Sequence, residues 1–113
     1  MSLNRETFGL FELSDEGTVL YSRPAQRDQP REDEQDIVGR DFFYEVAQFA
    51  NTEDLRRHFR RFLTSTRPAD SFGFECMYQE GTVKTKITMT RGHETENQHT
   101  ANIVIMDIKQ EGN

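Results

Sequence analysis

The sequence is poor in the residues that cross-link or anchor a protein. A single cysteine, Cys76, excludes an internal disulfide and any metal site built from several cysteines. No apolar run approaches the ~20 residues of a membrane-spanning helix, and the N-terminus lacks the apolar core of a secretory signal. Together these absences predict a protein of the reducing cytoplasm that has no membrane partner.

A surplus of basic residues is also absent. The chain has 14 Lys and Arg against 20 Asp and Glu, a net charge of −6, which disfavours nucleic-acid binding because phosphates need a basic footprint. The sequence shows no nucleophile-elbow serine, no phosphate-binding glycine loop and no histidine–cysteine arrangement. We therefore expect no catalytic residues and no enzymatic activity.

The residues that are present predict one aromatic and aliphatic core. Nine Phe and three Tyr cluster with other apolar residues in clear runs, although only 34% of the residues are hydrophobic. A chain of 113 residues buries enough surface for one core and lies within the usual size of one domain. We predict a globular domain with a well-solvated surface rather than a disordered chain.

The first half of the chain predicts a hairpin and then helices. Residues 8–13 and 18–21 are β-rich runs on either side of a turn signal that contains Gly17. Residues 22–36 hold two prolines and dense charge, which favours a loop or broken helical turns. Residues 37–47 have the apolar spacing of a short helix.

A longer amphipathic helix is predicted after these residues. Asn51 or Thr52 is its predicted N-cap, and the helix dipole favours the acidic residues that follow in the first turn. Arg67-Pro68 is predicted to end the helix. The apolar residues that recur at helical spacing are Leu55, Phe59, Phe62 and Leu63.

The final third alternates apolar and polar residues, as strands do. Residues 72–78, 83–89 and 101–108 predict three strands, with a polar loop at residues 91–99 before the last one. The last run is almost continuously apolar, which is typical of a central strand covered on both faces. The order of elements predicts an α+β domain, in which helices cover one face of an antiparallel sheet.

The same pattern sets the predicted domain boundaries. Residues 1–7 are predicted to be an N-terminal extension, residues 8–108 the domain and residues 109–113 a C-terminal tail. Whether this domain stands alone or belongs to a larger protein stays open.

Residues 39–51, which read G-R-D-F-F-Y-E-V-A-Q-F-A-N, resemble the middle of the photoactive yellow proteins, a subgroup of the PAS domains. In that family the motif runs G-K-N-F-F-x-x-V-A-P-C, and the resemblance extends over about residues 8–89. It implies the PAS fold, a five-stranded antiparallel sheet of order 2-1-5-4-3 flanked by short helices and one longer helix. It also implies a sensor or a dimerising module in signalling.

The sequence departs from this family where the family holds its chromophore. Phe49 stands at the position of the cysteine that carries the chromophore, and a thioester cannot form without a thiol. The tyrosine and glutamate that hold the family's phenolate fall on Ser22 and Gln26, and its covering arginine falls on Glu32. We therefore predict a PAS domain without a covalent chromophore or other cofactor.

The resemblance leaves two interpretations of the interior. One is an apolar pocket between helices and sheet that binds a small apolar ligand without a covalent bond. The other, which we favour, is a filled interior, because Phe49 is much larger than cysteine and protein interiors leave few voids. The residues predicted to line this space are Val46, Phe49, Ala50, Phe62, Phe74, Cys76 and Met89.

Other ligands have weaker support. His58 lies on the long helix, from which haem-binding PAS domains take a ligand, but its helical phase predicts a solvated side chain near the arginines. Cys76 lacks the N-C-R-F-L motif of flavin-binding relatives and is predicted to be a small buried hydrophobe. His93 and His99 have no recognised metal-ligand spacing, so we predict no metal site.

Charge on the long helix suggests a contact surface. Arg56, Arg57, Arg60 and Arg61 form a basic stripe, while residues 31–36 are largely acidic. Two interpretations carry similar weight. The charges are either solvated faces worth little stability, or complementary patches that guide docking to a signalling protein or a second copy.

Overall fold

A computed structural model describes residues 8–24, 37–96 and 99–111; the side chains of residues 24 and 94–101 fall outside this description. The five strands are β1 (Gly9–Ser14), β2 (Val19–Pro24), β3 (Ala69–Tyr78), β4 (Gly81–Glu96) and β5 (His99–Gln110). The helical elements are a π-type turn at Phe42–Val46 and helix α1 (Thr52–Thr64). All four strand pairs are antiparallel, and the sheet order is β2-β1-β5-β4-β3. The predicted α+β fold and its strand order are confirmed.

The β1–β2 hairpin begins the sheet. Gly17 takes the turn with a φ of 90°, which suits glycine because it has no Cβ. The Oγ of Ser14 accepts hydrogen bonds from the N–H groups of Glu16 and Thr18 at 3.2 and 3.1 Å, which closes the turn. Strand β2 runs to Pro24, so the prediction of a loop from Ser22 is wrong here. Proline is tolerated because β2 is an edge strand.

Strands β4 and β5 form a longer hairpin than the sequence predicts. The pairing continues without interruption from Thr85 opposite Gln110 to Glu96 opposite His99, so the polar loop predicted at residues 91–99 is wrong. Two strands can pair through their backbones even where their side chains are polar. Such residues show no alternation of apolar and polar side chains from which a strand could be predicted. The predicted tail at 109–113 also begins too early, since β5 continues to Gln110.

The core lies between one face of the sheet and the helical elements. Helix α1 turns Leu55, Phe59 and Phe62 inward, as its apolar spacing predicts. Aromatic rings connect the layers: the ring centroids of Phe11 and Phe42 lie 4.8 Å apart, and those of Phe43 and Phe59 lie 5.1 Å apart. The π-type turn is held by Asp41, whose carboxylate accepts the N–H groups of Phe43 and Tyr44.

Asn51 joins the start of α1 to the edge of the sheet. It occupies the predicted N-cap position, but its side chain makes no capping bond. Instead its Nδ2 donates to the carbonyl of Glu75 at 2.7 Å, and its Oδ1 accepts the N–H of Met77 at 3.1 Å. The N–H of Ala50 donates to the carbonyl of Met77 at 2.7 Å. The 50–51 segment therefore covers the outer edge of β3 at this point.

The opposite face of the sheet has no helix on it among the residues described. Its apolar side chains form what we call the outer patch, which consists of Leu10, Tyr21, Ile103 and Ile105. Register brings them together, because Glu12 lies opposite both Tyr21 and Ile105, and Ser14 lies opposite Ile103. Tyr21 is 46% exposed, while Ile103 is 7% exposed although it is no member of the central core cluster.

Candidate functional site

Phe49, which the resemblance places at the family's chromophore position, has its ring in the interior. This ring is 3% exposed and packs edge-on against Phe74 and Tyr78, with centroid distances of 5.9 Å to each. Five more of the predicted lining residues are buried in the same core: Val46, Phe62, Phe74, Cys76 and Met89. Ala50 is exposed, so its prediction as an interior residue is corrected. Its backbone follows the edge of β3, and this turns its side chain out of the core.

Cys76 beside this ring is a buried thiol. Its Sγ lies 4.0 Å from the Oγ1 of Thr85, which itself donates to the carbonyl of Phe74 at 2.7 Å. Burial raises the pKa of Cys76 to about 11, and the hydrogen bond to Thr85 only partly opposes this rise. The side chain is therefore a neutral thiol at physiological pH and a poor nucleophile, because the thiolate is the reactive form.

His58 has a different environment from the one its helical phase predicts. Its ring stacks on Phe72, with centroids 4.1 Å apart and planes 11° apart, and it is half-buried. The prediction of a fully solvated histidine is therefore corrected. The phase of α1 gives the direction of the side chain, but the inward-facing Phe72 on β3 reaches it from another element.

The other predicted ligand positions give no cluster. His93 is exposed on β4, and the side chain of His99 lies outside the described set. In residues 8–24, 37–96 and 99–111, no group of three His, Cys, Asp or Glu side chains could hold a metal ion. Ser22 lies half-buried on β2 opposite Phe11, whereas Gln26 and Glu32 are outside the described residues.

The basic stripe on α1 divides into paired and unpaired arginines. Arg57 pairs with Asp54 at 3.1 Å. Arg56 lies 3.8 Å from Glu53 and 5.4 Å above the ring of Tyr44. Arg60 and Arg61 are exposed and form no ion pair with any residue that the structure describes. The acidic segment at 31–36, the predicted complement of the stripe, lies outside the described residues.

A surface cleft separates α1 from the β1–β2 turn, and the sequence analysis missed it. Its volume is about 370 Å³, and none of the predicted interior lining residues borders it. The lining residues, which we call the turn–helix cleft, are Asp15, Glu16, Phe43, Arg56, Phe59, Arg60, Leu63 and Thr64. The turn and the helix are about 40 residues apart in the chain, so no local pattern indicates that they face each other.

Arg91 was also missed, because it begins the segment predicted to be a loop. Its guanidinium donates to the carbonyls of Phe62 and Ser65 at 2.5 and 2.6 Å and to the carbonyl of Arg67 at 2.8 Å. It also stacks over the ring of Phe62, 4.4 Å from the centroid. A cation at these carbonyls neutralises the negative end of the helix dipole, so Arg91 ties β4 to the C-terminus of α1.

Comparisons with known proteins agree with this architecture. The photoactive yellow protein of Rhodothalassium salexigens is 29% identical over 84 residues, which are 74% of this chain and 67% of the relative. That of Halochromatium salexigens is 26% identical over 89 residues, 79% of this chain and 71% of the relative. No protein-family model matches the chain.

The solved structures give the same fold. The PAS domain of the Bordetella pertussis protein BvgS superimposes with a TM-score of 0.62 at 8% identity, over 95% of this chain and 79% of that one. Within the described part of the chain, no helix is long and apolar enough to cross a membrane. The chain is a PAS-fold domain that is similar in sequence to the photoactive yellow proteins.

Proposed function

We propose that this chain is a signalling domain that transmits its signal through protein–protein contact and carries no covalent chromophore. The PAS fold and the similarity to photoactive yellow proteins support a sensor or signalling role. The observation that carries the finer proposal is the contrast between a packed interior at Phe49 and an outer patch on which no helix lies among the described residues. We expect the domain to act in the cytoplasm.

The outer patch supports contact because its apolar side chains lie together on a sheet face that lacks a helical cover among the described residues. Burying such side chains against a partner stabilises a complex by about 25 cal/mol for each Å² of apolar surface. Arg60 and Arg61 on α1, which form no ion pair among the described residues, provide a second surface, which would steer an acidic partner rather than supply most of the affinity. The partner is a second copy of the chain or another signalling protein.

The alternative is a sensor that holds a small apolar ligand in the interior. It has less support because Phe49, Phe74 and Tyr78 pack against one another where such a ligand would lie. Native mass spectrometry of protein purified from its own host distinguishes the two: a retained ligand supports the alternative, and apo monomer and dimer support the proposal.

Sedimentation velocity over a concentration series tests the outer patch. Ile105→Lys places a charge in the middle of the patch, and we expect it to weaken self-association about tenfold or more, because an interface buries an unpaired charge at high cost. Thr82→Lys is the matched control, since Thr82 is exposed on the same face of β4 near the far end of the sheet. Arg61→Glu examines the helix surface separately.

Two results would count against the proposal. The first combines two observations: the unmodified chain stays monomeric at all concentrations, and the Ile105→Lys variant binds a host partner as tightly as the unmodified chain does. The other is equal weakening by Ile105→Lys and Thr82→Lys, which would mean that added charge alone, rather than the outer patch, governs association.

A further inference from the structure

The turn–helix cleft has the form of a small-molecule site. Its volume of about 370 Å³ lies in the range of ligand pockets, ~300–1,000 Å³. Leu63, which is half-buried, gives the cleft exposed apolar surface, and Phe43 and Phe59 form its base as core residues with 1% and 2% exposure. The cleft therefore rests on packed core residues and has its form before any ligand arrives.

The two walls of the cleft carry opposite charges. Asp15 and Glu16 belong to the β1–β2 turn, and Arg56 and Arg60 belong to α1. No ion pair joins the two walls. Among the described residues, Arg56 pairs with Glu53 on its own helix at 3.8 Å and lies over the ring of Tyr44, and Arg60 forms no ion pair. Two carboxylates and two guanidinium groups thus border the same cleft without forming an ion pair with each other.

This arrangement selects against ligands that carry one sign of charge. An anion held by Arg60 would also face Asp15 and Glu16, and a cation held by those carboxylates would face the arginines. A ligand that carries both charges avoids the repulsion and can pair each end. Arginine is suited to the carboxylate end because its planar guanidinium can donate two parallel hydrogen bonds.

We propose that the turn–helix cleft binds a small zwitterion with an apolar body, namely a free α-amino acid with an aromatic or branched side chain. The ligand's carboxylate pairs with Arg60, its ammonium pairs with Asp15 or Glu16, and its side chain lies on Leu63, above the buried rings of Phe43 and Phe59. The site shares Arg60 with the proposed helix surface but is separate from the interior at Phe49 and from the outer patch, so this inference does not depend on self-association through the outer patch.

Isothermal titration calorimetry with four related compounds tests the chemistry of the ligand. L-phenylalanine carries all three features, 3-phenylpropionate lacks the ammonium, phenethylamine lacks the carboxylate, and glycine lacks the apolar body. We expect L-phenylalanine to bind most tightly and each of the others to bind about threefold to tenfold more weakly, as the loss of one charged or apolar contact predicts. Amide NMR signals of Asp15, Glu16 and Gly17 should shift on binding.

Substitutions locate the site. Arg60→Gln and the pair Asp15→Asn with Glu16→Gln should each weaken L-phenylalanine binding, whereas Arg60→Lys should retain part of it because the charge remains. Arg61→Gln is the matched control, because Arg61 is an exposed arginine on the same helix outside the cleft. All these positions are on the surface, so the variants should fold, and circular dichroism verifies this.

Three results would overturn the proposal. They are no heat and no shift at millimolar L-phenylalanine, equal affinity for L-phenylalanine and 3-phenylpropionate, and equal loss of binding in Arg60→Gln and Arg61→Gln. None of these results bears on self-association through the outer patch, which sedimentation measures without any ligand.

Discussion

Phe49 shows how one side chain can fill the interior space of a fold. The resemblance to the photoactive yellow proteins places it where that family attaches a chromophore, and its ring contacts two further rings, those of Phe74 and Tyr78. The greater volume of phenylalanine predicted a filled interior here. The structure adds that the ring is buried, so Phe49 stabilises the domain by packing.

The first prediction concerns this packing. Phe49→Ala should lower the free energy of unfolding by about 3–5 kcal/mol, because it removes buried apolar surface and leaves a cavity. Urea denaturation measures the change. Val38→Ala, an exposed aliphatic position, is the control and should stay within about 0.5 kcal/mol. A nearly neutral Phe49→Ala would instead mean that the surroundings collapse onto the space or that the ring does not fill it.

Single residues were predicted well where local pattern decides burial and poorly where another element does. The alternation along β3 predicted the inward Phe74 and Cys76. The environment of His58 depends on Phe72, more than ten residues away in the chain, and the exposure of Ala50 depends on a backbone bond to Met77. Neither contact can be deduced from helical or strand periodicity.

At the scale of elements, the contact between β4 and the end of α1 is the least expected feature. Helix α1 ends at Thr64, before the predicted stop at Arg67-Pro68, and the hydroxyl of Ser65 donates back to the carbonyl of Phe62 at 2.9 Å. Arg91 donates to the same carbonyl of Phe62 and to the carbonyl of Ser65. One side chain thus fixes the separation between the helix and the sheet.

The second prediction follows from these bonds. Arg91→Met should keep the stem packed on Phe62 but leave the helix carbonyls without a cation, and should cost about 2–3 kcal/mol of stability. Urea denaturation gives the cost, and amide hydrogen exchange in the last turn of α1 should accelerate. The stability of Arg91→Lys should lie between those of the unmodified chain and Arg91→Met, because lysine keeps the charge but lacks the planar guanidinium.

Lys86→Met is the control for this prediction, since Lys86 is an exposed residue of the same strand and should change stability by less than about 0.5 kcal/mol. If Arg91→Met changed the free energy of unfolding no more than Lys86→Met does, the hydrogen bonds of Arg91 would make no net contribution to stability. If exchange rose evenly through the whole molecule, the effect would be global rather than confined to the helix end.

Elements were predicted best where one of their faces is buried. The number, type and order of the strands follow from the apolar alternation, and α1 follows from its amphipathic spacing. The extra length of β2 and of the β4–β5 hairpin escaped prediction because their added residues are mostly polar. Backbone pairing holds those residues in strands, and backbone pairing has no signature in the side chains.

At the scale of the whole molecule, the fold was predictable and the turn–helix cleft was not. The resemblance supplied the sheet order, which the structure confirms. The cleft requires residues 15–16 to face residues 56–64 across a gap. Phe43 lies between them, because its ring approaches Gly17 of the turn and packs against Phe59 of the helix with centroids 5.1 Å apart. Only the assembled core determines this geometry.

The third prediction concerns the photochemistry of the whole molecule. Native protein incubated with activated p-coumarate should gain no visible absorption band that survives denaturation, because Phe49 offers no thiol and Cys76 is buried and protonated. The same reaction in urea exposes Cys76 and serves as the control for an active reagent. A persistent band formed by the native protein would contradict the assignment of a domain without a chromophore.

The contact of Asn51 with β3 has a consequence for how the sheet ends. The side-chain amide of Asn51 and the N–H of Ala50 bind the outward backbone groups of Glu75 and Met77 as a short neighbouring strand would. An unguarded edge strand is a template on which other chains can add and aggregate. The segment at the start of α1 therefore blocks this edge of the sheet. A strand of another chain could pair with this half of β3 only after the start of α1 had detached from it.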